Sequence, residues 1–212
     1  MSKPLATIAS VNACLELVLL DADLVESWEP LDEDSDGEDI GGHPQKVIEL
    51  HEEDDDFVAG PLTVGSGAAL VLTLEGATGE AEVRRLGDGT LALLEPPREW
   101  WDDADNFGKR KADVAALFED ALGPAPKAGK EKQVGKVSVR STKLVVFDSN
   151  ADMGGVAKAA KKATEGKVVP FGEDDAGVVL GLTAGEYVVA RRVIEPKWAD
   201  GSTLVVAYLR PA

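Results

Sequence analysis

The pentapeptide LVLLD at Leu17–Asp21 returns as LVVFD at Leu144–Asp148. Three further landmarks recur in the same order. KVIELHEED (Lys46–Asp54) answers to KVVPFGEDD (Lys167–Asp175), GPLTVG (Gly60–Gly65) to GLTAG (Gly181–Gly185), and DGTLALLEPP (Asp88–Pro97) to DGSTLVVAYLRP (Asp200–Pro211). β-Proteins reuse similar strand and turn words, so one match alone carries little. Four in register predict an internal duplication. The fold class expected is α+β, with two tandem β-rich units, residues 1–97 and 136–212, joined by a helix and polar linker over residues 98–135. Units of this size bury a smaller fraction of their surface than large domains do.

Each unit reads as mostly strand. LVLLD and LVVFD are short apolar runs ending in an acid, the pattern of a buried strand reaching the surface. KVIEL (Lys46–Leu50) and KVVPF (Lys167–Phe171) are the expected second strands. ALVLTL (Ala69–Leu74) is expected to pair with GEAEVRRL (Gly79–Leu86), and EYVVARRV (Glu186–Val193) with STLVVAYL (Ser202–Leu209) across the turn-forming EPKWADG. In the second unit Met153, Val156, Ala160 and Ala163 share one helical face, with Lys158, Lys161 and Lys162 off it. The corresponding stretch of the first unit, ESWEPLDEDSDGEDIGGHPQ, holds prolines, glycines and many acids, and reads as an acidic loop with no helix. Between the units, Val114, Leu117, Phe118, Ala121 and Leu122 have the spacing of a helix that Gly123 and Pro124 stop. PAPKAGKEKQ then reads as a flexible polar linker.

The charge is unevenly distributed. Of the net −17, residues 1–106 carry 26 acids against 5 bases, and residues 107–212 carry 13 acids against 17 bases. The acidic half repels nucleic acid and anionic membrane, both of which need clustered Lys and Arg. It attracts cations or basic proteins. No stretch approaches the roughly 20 apolar residues of a membrane span. The first twenty residues read as a strand rather than a leader, because no small-residue cleavage site follows the apolar run. The single cysteine, Cys14, allows no internal disulfide, lies in an apolar run as a buried inert thiol would, and fits a cytoplasmic chain.

Several constellations could carry chemistry. DEDSDG (Asp32–Gly37) opens like a calcium loop, but the twelfth position is His43 instead of a bidentate Glu, and a solvated acidic loop accounts for the same residues. A zinc site would have to combine His43 and His51 with Asp54 or Glu52, at a spacing unlike known clusters. LVLLDAD (Leu17–Asp23) resembles the first motif of haloacid-dehalogenase-type phosphatases, which would make Asp21 the nucleophile and Asp23 the acid and base. The Gly-Thr usual after it is replaced by Leu24 and Val25, and aspartates that end strands more often cap the next element. GSG (Gly65–Gly67) lacks the Lys-Ser/Thr of a phosphate loop, and no Gly-x-Ser-x-Gly elbow appears. No cofactor is expected.

The remaining signals point to binding. Trp100 and Trp101 are adjacent, so in extended chain they face opposite ways and cannot both be core. An exposed Trp beside Asp102, Asp103 and Asp105 suits an interface in which Trp anchors and acids steer; packing of the linker helix onto a β-unit is the alternative. The expected partner-binding residues are Asp32, Glu33, Asp34, Asp36, Glu38, Asp39, Glu52, Glu53, Asp54, Asp55, Asp56, Trp100 and Trp101, and the expected partner is a basic protein. In size, charge and duplicated plan the chain resembles immunity proteins of bacterial polymorphic-toxin systems. That resemblance implies a non-enzymatic, cytoplasmic inhibitor that covers the active site of a toxin. A metal-dependent or phosphatase-like enzyme and a structural assembly protein are the alternatives.

Overall fold

ELVLLD and KLVVFD carry four consecutive apolar residues each, so strands built from them need cover on both faces. The computed structural model of the chain meets this with layers. It describes residues 4–9, 16–30, 32–33, 39–54, 56–74, 80–95, 104–123, 126–172, 175–199 and 203–212. Along the chain come β1 (Ala6–Ala9), β2 (Glu16–Asp21), a 3₁₀ helix (Ala22–Ser27), β3 (Asp32–Glu33), β4 (Asp39–Ile40) and α1 (Gly42–Glu53). Next are β5 (Ala59–Val64), β6 (Gly67–Thr73), β7 (Glu80–Arg85), β8 (Leu91–Glu95) and α2 (Ala104–Ala121). Then follow β9 (Lys130–Val139), β10 (Lys143–Asp148), α3 (Val156–Lys162), β11 (Val168–Phe171), β12 (Gly177–Gly181), β13 (Gly185–Ile194) and β14 (Leu204–Pro211).

Twelve of these strands form two six-stranded antiparallel sheets, ordered β1-β7-β8-β14-β13-β9 and β11-β12-β10-β2-β6-β5. Each sheet takes three strands from each half of the chain, so the halves interleave. Setting aside the two-residue strands β3 and β4, the first strand of one half occupies the place of the first strand of the other, and so on through the sixth. The register at the centre is self-complementary. In the β2–β10 ladder Leu19 faces Val146, Leu17 faces Asp148 and Asp21 faces Leu144. In the β8–β14 ladder Leu93 faces Ala207, Leu91 faces Leu209 and Glu95 faces Val205.

Side chains alternate across each strand, and this alternation divides the core. Leu17 and Leu19 of β2, Leu144 and Val146 of β10, Leu91 and Leu93 of β8, and Val205, Ala207 and Leu209 of β14 meet between the sheets. Val18, Leu20, Val145 and Phe147 face outward beneath the 3₁₀ helix, α1 and α3. Ala92, Leu94, Val206 and Tyr208 face outward beneath α2, which buries Val114, Phe118 and Ala121 against them. Full burial of each large aliphatic side chain is worth roughly 1.5–3 kcal/mol. The sheet edges are protected in different ways. β1 has only four residues, β5 and β11 each carry a proline (Pro61 and Pro170), and β9 carries Lys130, Lys132 and Lys136. Pro61 pairs with Leu70 and Pro170 with Val178, equivalent places in the two halves.

Three expectations are corrected. KVIEL is not a strand but the middle of α1, which also takes in part of the stretch read as a helix-free acidic loop. His43, Val47 and Leu50 turn one face of it to the sheet, and Pro44 sits in its first turn, where its missing N–H costs nothing. The start is possible because Gly42 has φ +70° and a Cβ there would lie 2.1 Å from the Pro30 carbonyl oxygen. The expected pairing of ALVLTL with GEAEVRRL does not form. β6 is already flanked by β2 and β5, so β7 crosses to the opposite sheet, where Val83 and Ala81 meet Leu70, Leu72 and Leu74 across the interior. KEKQ is not linker but the start of β9, whose backbone pairs with β13 while its charged side chains stay at the edge. By contrast, β13 and β14 pair as expected, and α2 and α3 bury the apolar faces read from their spacing.

α2 is tied to its sheet by Tyr208, whose hydroxyl donates to the Ala121 carbonyl at 2.6 Å. Burial pushes the Tyr208 pKa up to about 12. The folded chain therefore favours the neutral phenol. This contribution to stability is complete below about pH 10, the ordinary tyrosine value, and is lost as pH rises through about 12. Tyr208→Phe is expected to cost about 1 kcal/mol at neutral pH. It should also flatten the alkaline fall of the urea midpoint relative to the native chain; identical profiles would contradict this placement.

Candidate partner-binding site

The acidic face of the first half is organised by Asp21. Its Oδ1 accepts from the Asp23 amide at 2.9 Å, and its Oδ2 accepts from the amides of Arg140 and Ser141, the latter at 3.1 Å. The aspartate thus caps the 3₁₀ helix and joins it to the turn before β10. Asp148, its counterpart, accepts from the Asn150 amide in the same way. Both strand-end aspartates are buried. Asp23, the second residue of the phosphatase-like reading, is exposed.

From the 3₁₀ helix the chain turns back onto α1. Trp28 packs edge-on to Phe147 and stacks on the His43 ring, with centroids 4.9 Å apart in each case. The Glu29 amide donates to His43 Nδ1, and the His43 amide donates to the Glu29 carbonyl, both at 2.9 Å. A ring nitrogen that accepts this amide bond carries no proton, so the neutral imidazole acts here as a structural clamp.

The clamp leaves an open cleft of about 730 Å³ between the 3₁₀ helix, α1 and β5. Glu26, Glu29, Glu49 and Glu53 line it, with Lys46 as the one ammonium and Leu50, Pro61 and Leu62 as its apolar floor. Lys46 Nζ lies 3.7 Å from Glu29 Oε2, but both groups are well exposed and the pair adds little stability. In the second half the segment between α3 and β11 runs against the end of β12, as Val58 runs against Thr73 in the first. Gly166 and Lys167 bond to Gly181 at the end of β12, and a Cβ on Gly181 would lie 1.9 Å from the Thr164 carbonyl oxygen. There α3 presents Lys158, Lys161 and Lys162 to solvent.

Of the residues expected to bind a partner, Glu53 lines the cleft. Glu52, Asp54 and Asp56 are exposed at the end of α1, where Asp54 accepts from the Asp56 amide. Asp32, Glu33 and Asp39 lie on the β3–β4 ladder just before α1. Asp34, Asp36, Glu38, Asp55, Trp100 and Trp101 lie outside the described residues, as does Cys14. Glu26, Glu29 and Glu49 were not singled out in the sequence. Glu49 and Glu53 stand four apart, on one face once KVIEL is helical.

The histidines of the zinc reading are separated in role. His51 stacks edge-on with Phe57 at 4.7 Å, and its Nε2 lies 3.7 Å from Glu16 Oε1. Burial raises the Glu16 carboxyl above the ordinary range, with His51 opposing the shift and Asp148 adding to it. Among the described residues, no group of three or more His, Cys, Asp and Glu side chains is placed to hold a metal ion, and no helix is long and apolar enough to cross a membrane. Compared with known proteins, the chain matches no family model, no curated protein and no solved structure.

Because the Asp21 carboxylate serves three backbone amides, Asp21→Ala is expected to lower stability by about 1–3 kcal/mol in urea denaturation. Asp23→Ala should stay within about 0.5 kcal/mol. Equal effects would contradict the capping role.

Proposed function

We propose that this chain is a non-enzymatic binding protein that receives a basic protein at the α1 cleft, as an immunity-type inhibitor of a bacterial toxin in the cytoplasm. The observation that carries this reading is the cleft, where four carboxylates surround an apolar floor and a run of exposed acids extends it along α1. Carboxylates in that density steer a cationic surface and speed its encounter, while the apolar floor takes the aliphatic stem of an arginine or lysine. Asp21, on which a phosphatase-like mechanism would rest, is occupied by backbone amides, which favours binding over catalysis.

We further infer that the two halves arose by internal duplication. Supporting this are the matched strand order of both sheets, the self-complementary β2–β10 and β8–β14 registers, and the paired positions of Pro61 and Pro170. Two of the four sequence landmarks, LVLLD/LVVFD and DGTLALLEPP/DGSTLVVAYLRP, lie on matched strands. The other two fall on unlike elements and carry no weight. On this reading one copy carries a basic helix and the other became acidic.

The test uses the basic protein encoded beside this chain, or failing that a panel of cationic nucleases, in a binding titration. Affinity is expected to fall steeply from about 50 to 200 mM salt, in the range over which screening strengthens. Glu49→Gln with Glu53→Gln should weaken binding about tenfold or more, whereas Asp113→Asn with Glu119→Gln on exposed α2 should leave it nearly unchanged. Binding indifferent to salt, or equal losses in the two double variants, would overturn the assignment.

A further inference from the structure

A second pocket, of about 720 Å³, opens at the end of the sandwich where β9 and β13 run past the opposing sheet. Val58, Leu117, Val134, Val193, Ile194 and Pro196 supply apolar walls. Lys130, Lys132 and Arg191 also line it, against the single carboxylate of Glu195. None of these residues belongs to the α1 cleft.

The strand registers show how unusual those cations are. Arg191 pairs with Ala207 on β14, and Val83 pairs with Leu93 on β8. Ala207 and Leu93 face each other across the middle of the sheet. Arg191 therefore holds the place that Val83 holds in the first half, and Val83 is fully buried in the core between the sheets. At the matching position the chain has put a guanidinium, itself 8% exposed. Directly opposite Arg191 on β9 stands Lys132, and opposite Val193 stands Lys130. Directly opposed residues share a face, and like charges placed so are destabilising on their own. A register shift in the β9–β13 ladder beside Val189 and Ala190 adds Val134 to the rim. Apolar core has thus been exchanged for a concave, cation-lined mouth whose walls remain apolar.

We propose that this pocket binds an amphiphilic organic anion, an acidic head group on an apolar body. The head lies against Lys130, Lys132 and Arg191, and the body fills the space between Val58, Leu117, Val134 and Val193. The volume falls within the usual range for small-molecule sites, roughly 300–1,000 Å³. Binding covers apolar surface on Val58, Leu117, Val134 and Val193 while the head group meets the cations of the mouth. The proposal does not depend on the α1 cleft.

The test titrates the whole chain with decanoate below its micelle concentration, and in parallel with decanol, decyltrimethylammonium and inorganic phosphate. Calorimetry is expected to show one decanoate site and a rise in Tm with decanoate concentration. Decanol and decyltrimethylammonium should bind at least tenfold more weakly, and inorganic phosphate should not register. Lys130→Glu with Lys132→Glu, both exposed, should weaken decanoate tenfold or more without lowering the urea midpoint. Decanol binding as well as decanoate would remove the role of charge. Phosphate binding as well as decanoate would remove the role of the apolar walls. Decanoate affinity unmoved by the double variant would place any site elsewhere. Each of these results overturns the proposal.

Discussion

The β2–β10 and β8–β14 ladders are the joints on which this molecule depends. They are the two places where a strand of one half bonds to a strand of the other, one at the centre of each sheet. The chain cannot form either sheet without both halves present, and the interior between the sheets is lined by both. Sequence-distant pairing of this kind has a loop-closure cost before it yields any contact energy. The continuous apolar runs of the four central strands offset that cost, since each is covered on both faces.

Once the central ladders are set, the outer layers decide what the surface can do. α2 lies across the seam of one sheet and is held by Phe118, Val114 and the Tyr208 hydroxyl. On the other sheet α1 and α3 lie over matched strands but sit differently. The segments that follow both helices bond to the neighbouring strand, Val58 to Thr73 and Lys167 to Gly181, while α1 is also held at its start by the His43–Glu29 clamp and borders an open cleft toward β5. The same plan therefore carries a cationic helix on one side and an anionic cleft on the other.

Much of the fold was legible in particular residues. Val114, Phe118 and Ala121 marked α2, Val156 and Ala160 marked α3, and the β13–β14 hairpin followed from two β-rich runs around a Pro- and Gly-containing turn. KVIEL misled because three apolar residues in five have no decisive period; its helical face appears only when His43 is counted with Val47 and Leu50. ALVLTL and GEAEVRRL misled because neighbours in sequence usually pair, and here the sandwich required them to face each other instead. The acidic character of the site was plain from composition. Its walls were not, since Glu26, Glu29, Glu49 and Glu53 meet only through the turn that Trp28 and His43 hold.

The sequence by itself determined that strands would dominate, that the first half would be strongly anionic, and that LVLLD and LVVFD would be buried, because those properties follow from local side-chain chemistry and period. Only the tertiary structure decided which strands became neighbours, that Arg191 would stand where a core valine stands in the other half, and that four glutamates of the first half would line one cleft beside α1. Those outcomes depend on register and on contacts between residues far apart in the chain, where moving a strand by a single residue turns every side chain to the opposite face.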